Sequence, residues 1–276
     1  MTKFETGGVD FLMIIFPLFS GSAGNSTYLK CKNTAVLVDV GRSAKQTEDS
    51  LIQKNLHPSK INFIFITHEH LDHVKGLHIF ASKYKIPVYS SKGTINFFRK
   101  KNNSRVISDK LLFKVIPSKG VEIGDFFVKS FNVSHDCCEG IGYIFETQNE
   151  RKIAFVTDTG CVTNEMRNSI VGCDTLFLES NHDVKMVECG KYPYNIKKRI
   201  ISDIGHLSNE DCAKELPNLV NSGLTHIILS HLSKNNNLAQ LAYQTAVSTL
   251  FEHNMKENID YTLFVSKNIN NSCCSF

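Results

Sequence analysis

Seven residues constrain this chain more than any others: Thr67-His68-Glu69-His70-Leu71-Asp72-His73, which follow the apolar run Ile61-Asn62-Phe63-Ile64-Phe65-Ile66. The run reads as a buried strand, and three histidines and one aspartate stand where it ends. Positions two apart do not share a helical face, so a tight loop rather than a helix must gather these side chains. Imidazole and carboxylate donors in such a cluster suit zinc, manganese or iron. The absence of cysteine among them argues against a closed structural zinc site. Any fold for this chain has to end a core strand on a metal-holding loop.

Four donors on one loop point to two ions, because two adjacent sites need about seven or eight protein ligands between them. Suitable extras stand at other strand ends: His135 after Phe131-Asn132-Val133-Ser134, Asp158 after Ile153 to Thr157, and His231 after Leu224 to Ser230. Asp39 sits within Val38-Asp39-Val40-Gly41, ahead of a helix expected over Ser43 to Asn55. It either caps that helix or orients metal ligands from behind. The link Ser20-Gly21-Ser22-Ala23-Gly24-Asn25 also admits two readings, a plain hairpin loop or a set of amides and hydroxyls that approach an anion closely.

Strands are expected at Met13 to Phe19, Ser26 to Cys31, Thr34 to Val40, Ile61 to Thr67, Pro87 to Tyr89, Leu111 to Ile116, Phe126 to Val133, Ile141 to Glu146, Lys152 to Thr157 and Thr175 to Leu178. Helices are expected at Leu71 to Tyr84, Lys92 to Lys101, Asn209 to Asn221 and Ala239 to His253. At 276 residues with 42% hydrophobic side chains, the chain can bury a substantial core. With no repeat or linker, it is expected to form one α/β or α+β domain over residues 11–267, with an N-terminal extension at 1–10 and a frayed tail at 268–276.

A formal charge of +4 is too small to establish nucleic-acid binding, yet it is compatible with an anionic substrate. Nine cysteines, an odd number without CxxC spacing, point to reduced thiols and a cytoplasmic location. The segment Phe11 to Phe19 with the small residues after it resembles a signal-peptide region, but Glu5 and Asp10 against Lys3 give the preceding residues the wrong charge. No run reaches the ~18 apolar residues of a membrane span, so no membrane association is expected.

The order Asp39, His68-x-His70-x-Asp72-His73, His135, Asp158, His231 resembles the metallo-β-lactamase superfamily along most of the chain. The resemblance implies a four-layer αβ/βα sandwich. It also implies a first metal held by His68, His70, His135 and Asp158, and a second held by Asp72, His73, the bridging Asp158 and His231. Further segments, namely Ser20 to Ser26, Thr157-Asp158-Thr159-Gly160, Glu179-Ser180-Asn181-His182-Asp183, Tyr192-Pro193-Tyr194 through Lys197-Lys198-Arg199-Ile200, and Gly205-His206-Leu207-Ser208-Asn209, are similar to the YycJ (WalJ, VicX) family. The departures are the N-terminal extension and Cys137-Cys138, where small residues are more usual.

That likeness implies a dinuclear hydrolase of phosphodiesters, a 5′ to 3′ exonuclease on DNA with two divalent ions, zinc first and manganese second. Metal-bound hydroxide would be its nucleophile at a site that includes Asp72. His206 resembles the histidine that protonates the leaving group, against the alternative that it only structures the loop before the next helix. Ser22, Asn25, His182 and Arg199 are candidates for supporting or substrate contacts, with the alternative that Lys197, Lys198 and Arg199 are solvated surface. Two other functions fit the same residues: a phosphodiesterase for a small cyclic or sugar phosphodiester, and a regulatory binding protein linked to a cell-wall two-component system, the family's association.

Overall fold

The computed structural model describes residues 13–100, 113–117, 119–267 and 274–275. The expected extension at 1–10, the segment around Lys101 and most of the expected tail lie outside the described residues. β1 (Met13–Phe19), β2 (Ser26–Cys31) and β3 (Thr34–Val38) form an antiparallel meander. β4 (Phe63–Phe65), β5 (Val88–Ser90) and β6 (Phe113–Val115) then extend it in parallel. Between them run α1 (Ala44–Gln53), α2 (Leu71–Val74), α3 (Leu77–Tyr84) and α4 (Lys92–Lys100).

The second half repeats this plan. β7 (Val121–Ile123), β8 (Phe126–Asn132), β9 (Ile141–Thr147) and β10 (Lys152–Val156) are antiparallel neighbours. β11 (Thr175–Glu179), β12 (His226–Ser230) and β13 (Thr262–Val265) follow in parallel. Here the helices are α5 (Asn164–Ile170), α6 (Val184–Cys189), α7 (Tyr194–Ile201), α8 (Asn209–Asn221) and α9 (Ala239–Glu252). A last strand, β14 (Cys274–Ser275), pairs with β1, so part of the expected tail joins the sheet edge. The two sheets run β14-β1-β2-β3-β4-β5-β6 and β13-β12-β11-β10-β9-β8-β7.

Three apolar clusters make this a four-layer sandwich. Phe65, Tyr89, Phe126, Tyr143, Phe145, Phe155 and Phe177 fill the space between the sheets. Phe145 is fully buried and meets Phe65 edge-on at 4.9 Å, so its truncation would cost about 3–5 kcal/mol. Leu51, Leu77, Phe80 and Phe98 press α1, α3 and α4 on the first sheet, and Met166, Leu216, Ala246 and Leu250 press α5, α8 and α9 on the second. The central strands between these layers, such as β3, β10, β11 and β12, are covered on both faces, which explains their nearly continuous apolar runs in the sequence.

Most expected elements are present, usually shortened by one to three residues at an end. The single helix expected over Leu71 to Tyr84 is instead α2 and α3, broken at Lys75-Gly76. The cause is close packing: the Gly76 amide donates to the Val40 carbonyl at 2.9 Å, and a Cβ on Gly76 would lie 2.2 Å from the Arg42 carbonyl oxygen. The helix gives way where its chain meets the end of β3. The strands β7 and β13 and the helices α5, α6 and α7 carry too few alternating apolar positions to have been expected. No helix among the described residues is long and apolar enough to cross a membrane.

Candidate metal centre

The carboxyl ends of the parallel strands in both sheets meet at one edge of the sandwich, the usual place for a site in such layers. Asp39, Asp158 and His231 each follow a strand there, with φ of 62°, 57° and 57°. A left-handed backbone at a non-glycine residue costs of order 1–3 kcal/mol, and surrounding bonds have to hold it. Here it turns three side chains sharply inward.

Asp39 does this holding in the first sheet. Its Oδ1 accepts the Thr67 amide at 2.9 Å, its Oδ2 accepts the Thr67 hydroxyl at 3.0 Å, and its Oδ2 also accepts His73 Nδ1–H at 2.8 Å. Because the Thr67 hydroxyl is spent on Asp39, its oxygen accepts His68 Nδ1–H at 3.1 Å. Both rings are thereby fixed with Nε2 turned into the site. The loop is seated by Gly41, where a Cβ would come within 1.7 Å of the Asp72 carbonyl oxygen, so no larger residue fits. Asn25 finishes the seat: its backbone N–H donates to the Asp72 carbonyl at 2.7 Å, its carbonyl accepts the Gly41 amide at 2.8 Å, and its side-chain oxygen accepts the Gly21 amide at 2.8 Å.

From the second sheet come His135, Asp158, His231 and His206. His135 donates Nδ1–H to the Gly205 carbonyl at 2.9 Å, which leaves Nε2 facing His70 Nδ1 at 3.2 Å. Glu179, at the end of β11, is fully buried; its Oε1 lies 2.8 Å from Nδ1 of both His231 and His206. Its Oε2 accepts the Thr159 amide at 2.7 Å. One carboxylate therefore sets the orientation of two imidazoles. Sequence reasoning missed this role, although a carboxylate ending the apolar run Thr175-Leu176-Phe177-Leu178 carries the same signal that singled out Asp39.

Three donor sets result, with ligand atoms within 4.8 Å of one another: His68, His70 and His135; Asp72, His73, Asp158 and His231; and Asp158, Glu179, His206 and His231. The second set is knit by His73 Nε2 at 3.0 Å from Asp158 Oδ2 and His231 Nε2 at 3.3 Å from Asp72 Oδ2. All seven residues expected as metal ligands lie in the first two sets, and Asp158 Oδ1 is also 3.8 Å from His135 Nε2.

The two sets differ electrostatically. Burial, together with His73, holds His68 well below the ordinary imidazole range, and burial likewise lowers His135, so both rings are neutral donors. For His73 and His231 burial opposes charge, but Asp158 and the other carboxylates outweigh it and raise both rings well above that range. Asp158 and Asp72 are lowered in turn, against burial, by His231 and His73. Glu179 falls to about 2, the bonds from His206 and His231 outweighing its burial. A divalent cation entering the second set would take the place of its protons.

The other expected residues are more scattered. Ser22 is exposed at the tip of its turn, and Ser20 is the serine of that turn which reaches the site, its hydroxyl accepting the His231 amide at 2.8 Å. His182 is buried with neither ring nitrogen bonded, outside all three donor sets. Arg199 lies beside the site, its Nη2 donating to Asp136 Oδ1 at 2.8 Å, and that oxygen is 3.6 Å from His135 Nε2. Burial and the nearby Glu69 push the Cys137 thiol up to about 12, so it remains a neutral thiol outside the donor sets.

A sequence model described as a beta-lactamase superfamily domain matches residues 34–231. Exodeoxyribonuclease YycJ of Bacillus anthracis is 41% identical over 235 residues, covering 85% of this chain and 88% of that protein. Exodeoxyribonuclease WalJ of Streptococcus pneumoniae is 35% identical over 252 residues, covering 90% and 91%. Among solved structures, the metallo-beta-lactamase fold protein YhfI of Bacillus subtilis superposes with a TM-score of 0.70 at 13% identity, over 96% of this chain and 100% of that one, a likeness of fold.

Proposed function

This chain belongs to the β-lactamase superfamily and, within it, to the family of YycJ and WalJ, and we propose that it is a two-metal exonuclease that shortens DNA from the 5′ end. The observation that carries the reading is the pair of adjoining donor sets, one of neutral imidazoles and one rich in carboxylates, with Asp158 between them and His206 beside them. The names of the relatives support DNA as the substrate.

The residues fit metal. His68 Nε2 is buried with no hydrogen-bond partner, a cost that a coordinated cation would remove. In this reading His68, His70, His135 and Asp158 hold one ion, and Asp72, His73, Asp158 and His231 the other. Nitrogen and oxygen donors suit zinc first and manganese second. Two such ions would supply Lewis-acid stabilisation of charge on the phosphoryl oxygens and a water acidic enough to react near neutral pH.

The chain's own groups do the rest. Asp39 and Glu179 keep His73 and His231 in the tautomer with Nε2 free, and Gly205 does so for His135. His206 gives Nδ1–H to Glu179, so Nε2 is the atom left to carry a proton to the departing alkoxide. Burial opposes its charging, but Glu179 prevails and raises it, which favours the protonated form that a general acid needs.

The test is metal-analysed protein incubated with single- and double-stranded DNA labelled at either end. Stepwise release from the 5′ end, absent in Asp72→Ala, is the expected result. No cleavage of any phosphodiester by metal-replete protein would contradict the reading. Cleavage of small phosphodiesters alone, with no loss of DNA affinity as salt rises, would replace DNA with a small substrate.

A further inference from the structure

Residues 188–204 form an excursion between Glu179 and His206 in which no residue is buried. α7 lies within it, an eight-residue helix that puts Tyr194 81% and Ile201 43% exposed, with Ile204 at 53% just beyond. Helices of a packed domain normally bury one face, and α7 only half-covers its own, at Ile196, Lys197 and Ile200. Tyr194, Lys198 and Ile201 follow the i, i+4, i+7 spacing that places them on one side of the helix.

The excursion is fastened to both walls of the metal centre. At one end Arg199 pairs with Asp136, the Asp136 amide donates to the Ile204 carbonyl at 3.0 Å, and Ser134 Oγ donates to the Asp203 carbonyl at 2.7 Å, all on the loop carrying His135. At the other, Asn235 Nδ2 donates to the Tyr192 hydroxyl at 2.8 Å, on the loop that follows His231. Polar ties hold the helix at the mouth of the site while its aromatic and cationic stripe is left to solvent.

Resting on the nuclease reading, we propose that the Tyr194–Lys198–Ile201 stripe is a subsite for a single strand of the DNA substrate. Tyr194 stacks on a base and Lys198 neutralises a phosphate. An exposed aromatic ring beside an uncommitted ammonium is the pairing that single strands bind without regard to sequence, since every base has a π-face. The charge favours a nucleic-acid strand as the occupant: Lys197, Lys198 and Arg199 are consecutive cations beside this exposed stripe, and the loops it is tied to carry His135 and follow His231. Lys197 is tied to the Glu188 carbonyl at 2.6 Å and Arg199 to Asp136, so Lys198 is the cation left to the strand.

Steady-state cleavage of a short single-stranded oligodeoxynucleotide by metal-loaded protein tests this. Tyr194 and Lys198 are exposed and Lys152 is half-exposed at a strand end, so the variants should fold. Tyr194→Ala should raise KM on the order of 10-fold with kcat little changed, and Tyr194→Phe should restore it. Lys198→Ala should raise KM and flatten its dependence on log salt by about 0.7, the share of one phosphate on a single strand, whereas Lys152→Ala at the far strand end should not. Unchanged KM in both variants, with the wild type cleaving normally, would overturn the subsite and leave the nuclease reading standing. A fall in kcat at constant KM would also overturn it, because α7 would then act only through the His135 loop. Wild-type protein that cleaves duplex DNA but not the single strand would overturn the subsite alone, and wild-type protein that cleaves neither would overturn both.

Discussion

In the first sheet one loop, Thr67 to His73, carries four donors and a single carboxylate, Asp39, steadies it; in the second, Asp158, His231 and His206 arrive from separate strand ends and loops, and Glu179 steadies two of them. Asp39 and Glu179 are counterparts: both are buried, both end apolar parallel strands, and both accept Nδ1–H from a histidine of the same donor set. They differ in their second partner. Asp39 spends its remaining capacity on Thr67 inside the loop, whereas Glu179 spends it on His206, which lies outside the proposed ligand sets. In the proposed mechanism the first half serves to hold metal, and the second both to hold metal and to present a proton.

The largest effect is expected where the halves meet. Asp158→Ala removes the carboxylate shared between the donor sets, and metal content measured by emission spectrometry should fall together with DNA hydrolysis, the latter to background. Retention of both ions with activity would break the picture of adjoining sites. Next comes His206→Ala, for which kcat should fall on the order of 10²- to 10⁴-fold while metal content stays at the wild-type level. A matching loss of metal would make His206 a ligand and erase the contrast between the halves.

Smaller effects should follow from the two orienting carboxylates. Asp39→Asn and Glu179→Gln should each weaken metal affinity about 10- to 100-fold, read by competition with a chromogenic chelator. Smallest of all, Ser22→Ala should leave kcat/KM at the wild-type value, because Ser22 stands exposed at its turn while Ser20 and Asn25 make the contacts. A clear loss in Ser22→Ala would give that turn a substrate role.

The same contrast explains what was legible in the sequence. Donors packed into one loop announce themselves, and the strand-end positions of His135, Asp158 and His231 supply further candidates, whereas their division into two ligand sets rests on the superfamily resemblance. The orienting role of Glu179 is not legible, because a lone carboxylate after an apolar strand has no local partner and its two histidines lie 27 and 52 positions away. The break between α2 and α3 was equally hidden: nothing in Leu71 to Tyr84 tells that Gly76 must press against Arg42. α7 is hard to read for a different reason: at eight residues, its apolar positions Tyr194, Ile196, Ile200 and Ile201 make too short a pattern to separate a helix from a loop.

The most direct test of the central claim is kcat on DNA for Asp39→Asn and Glu179→Gln, each measured at saturating metal. If Asp39 serves only the ligands and Glu179 serves a ligand and the proton donor, metal should restore Asp39→Asn to wild-type kcat and leave Glu179→Gln well below it. Equal recovery of both variants would contradict the division between the two halves.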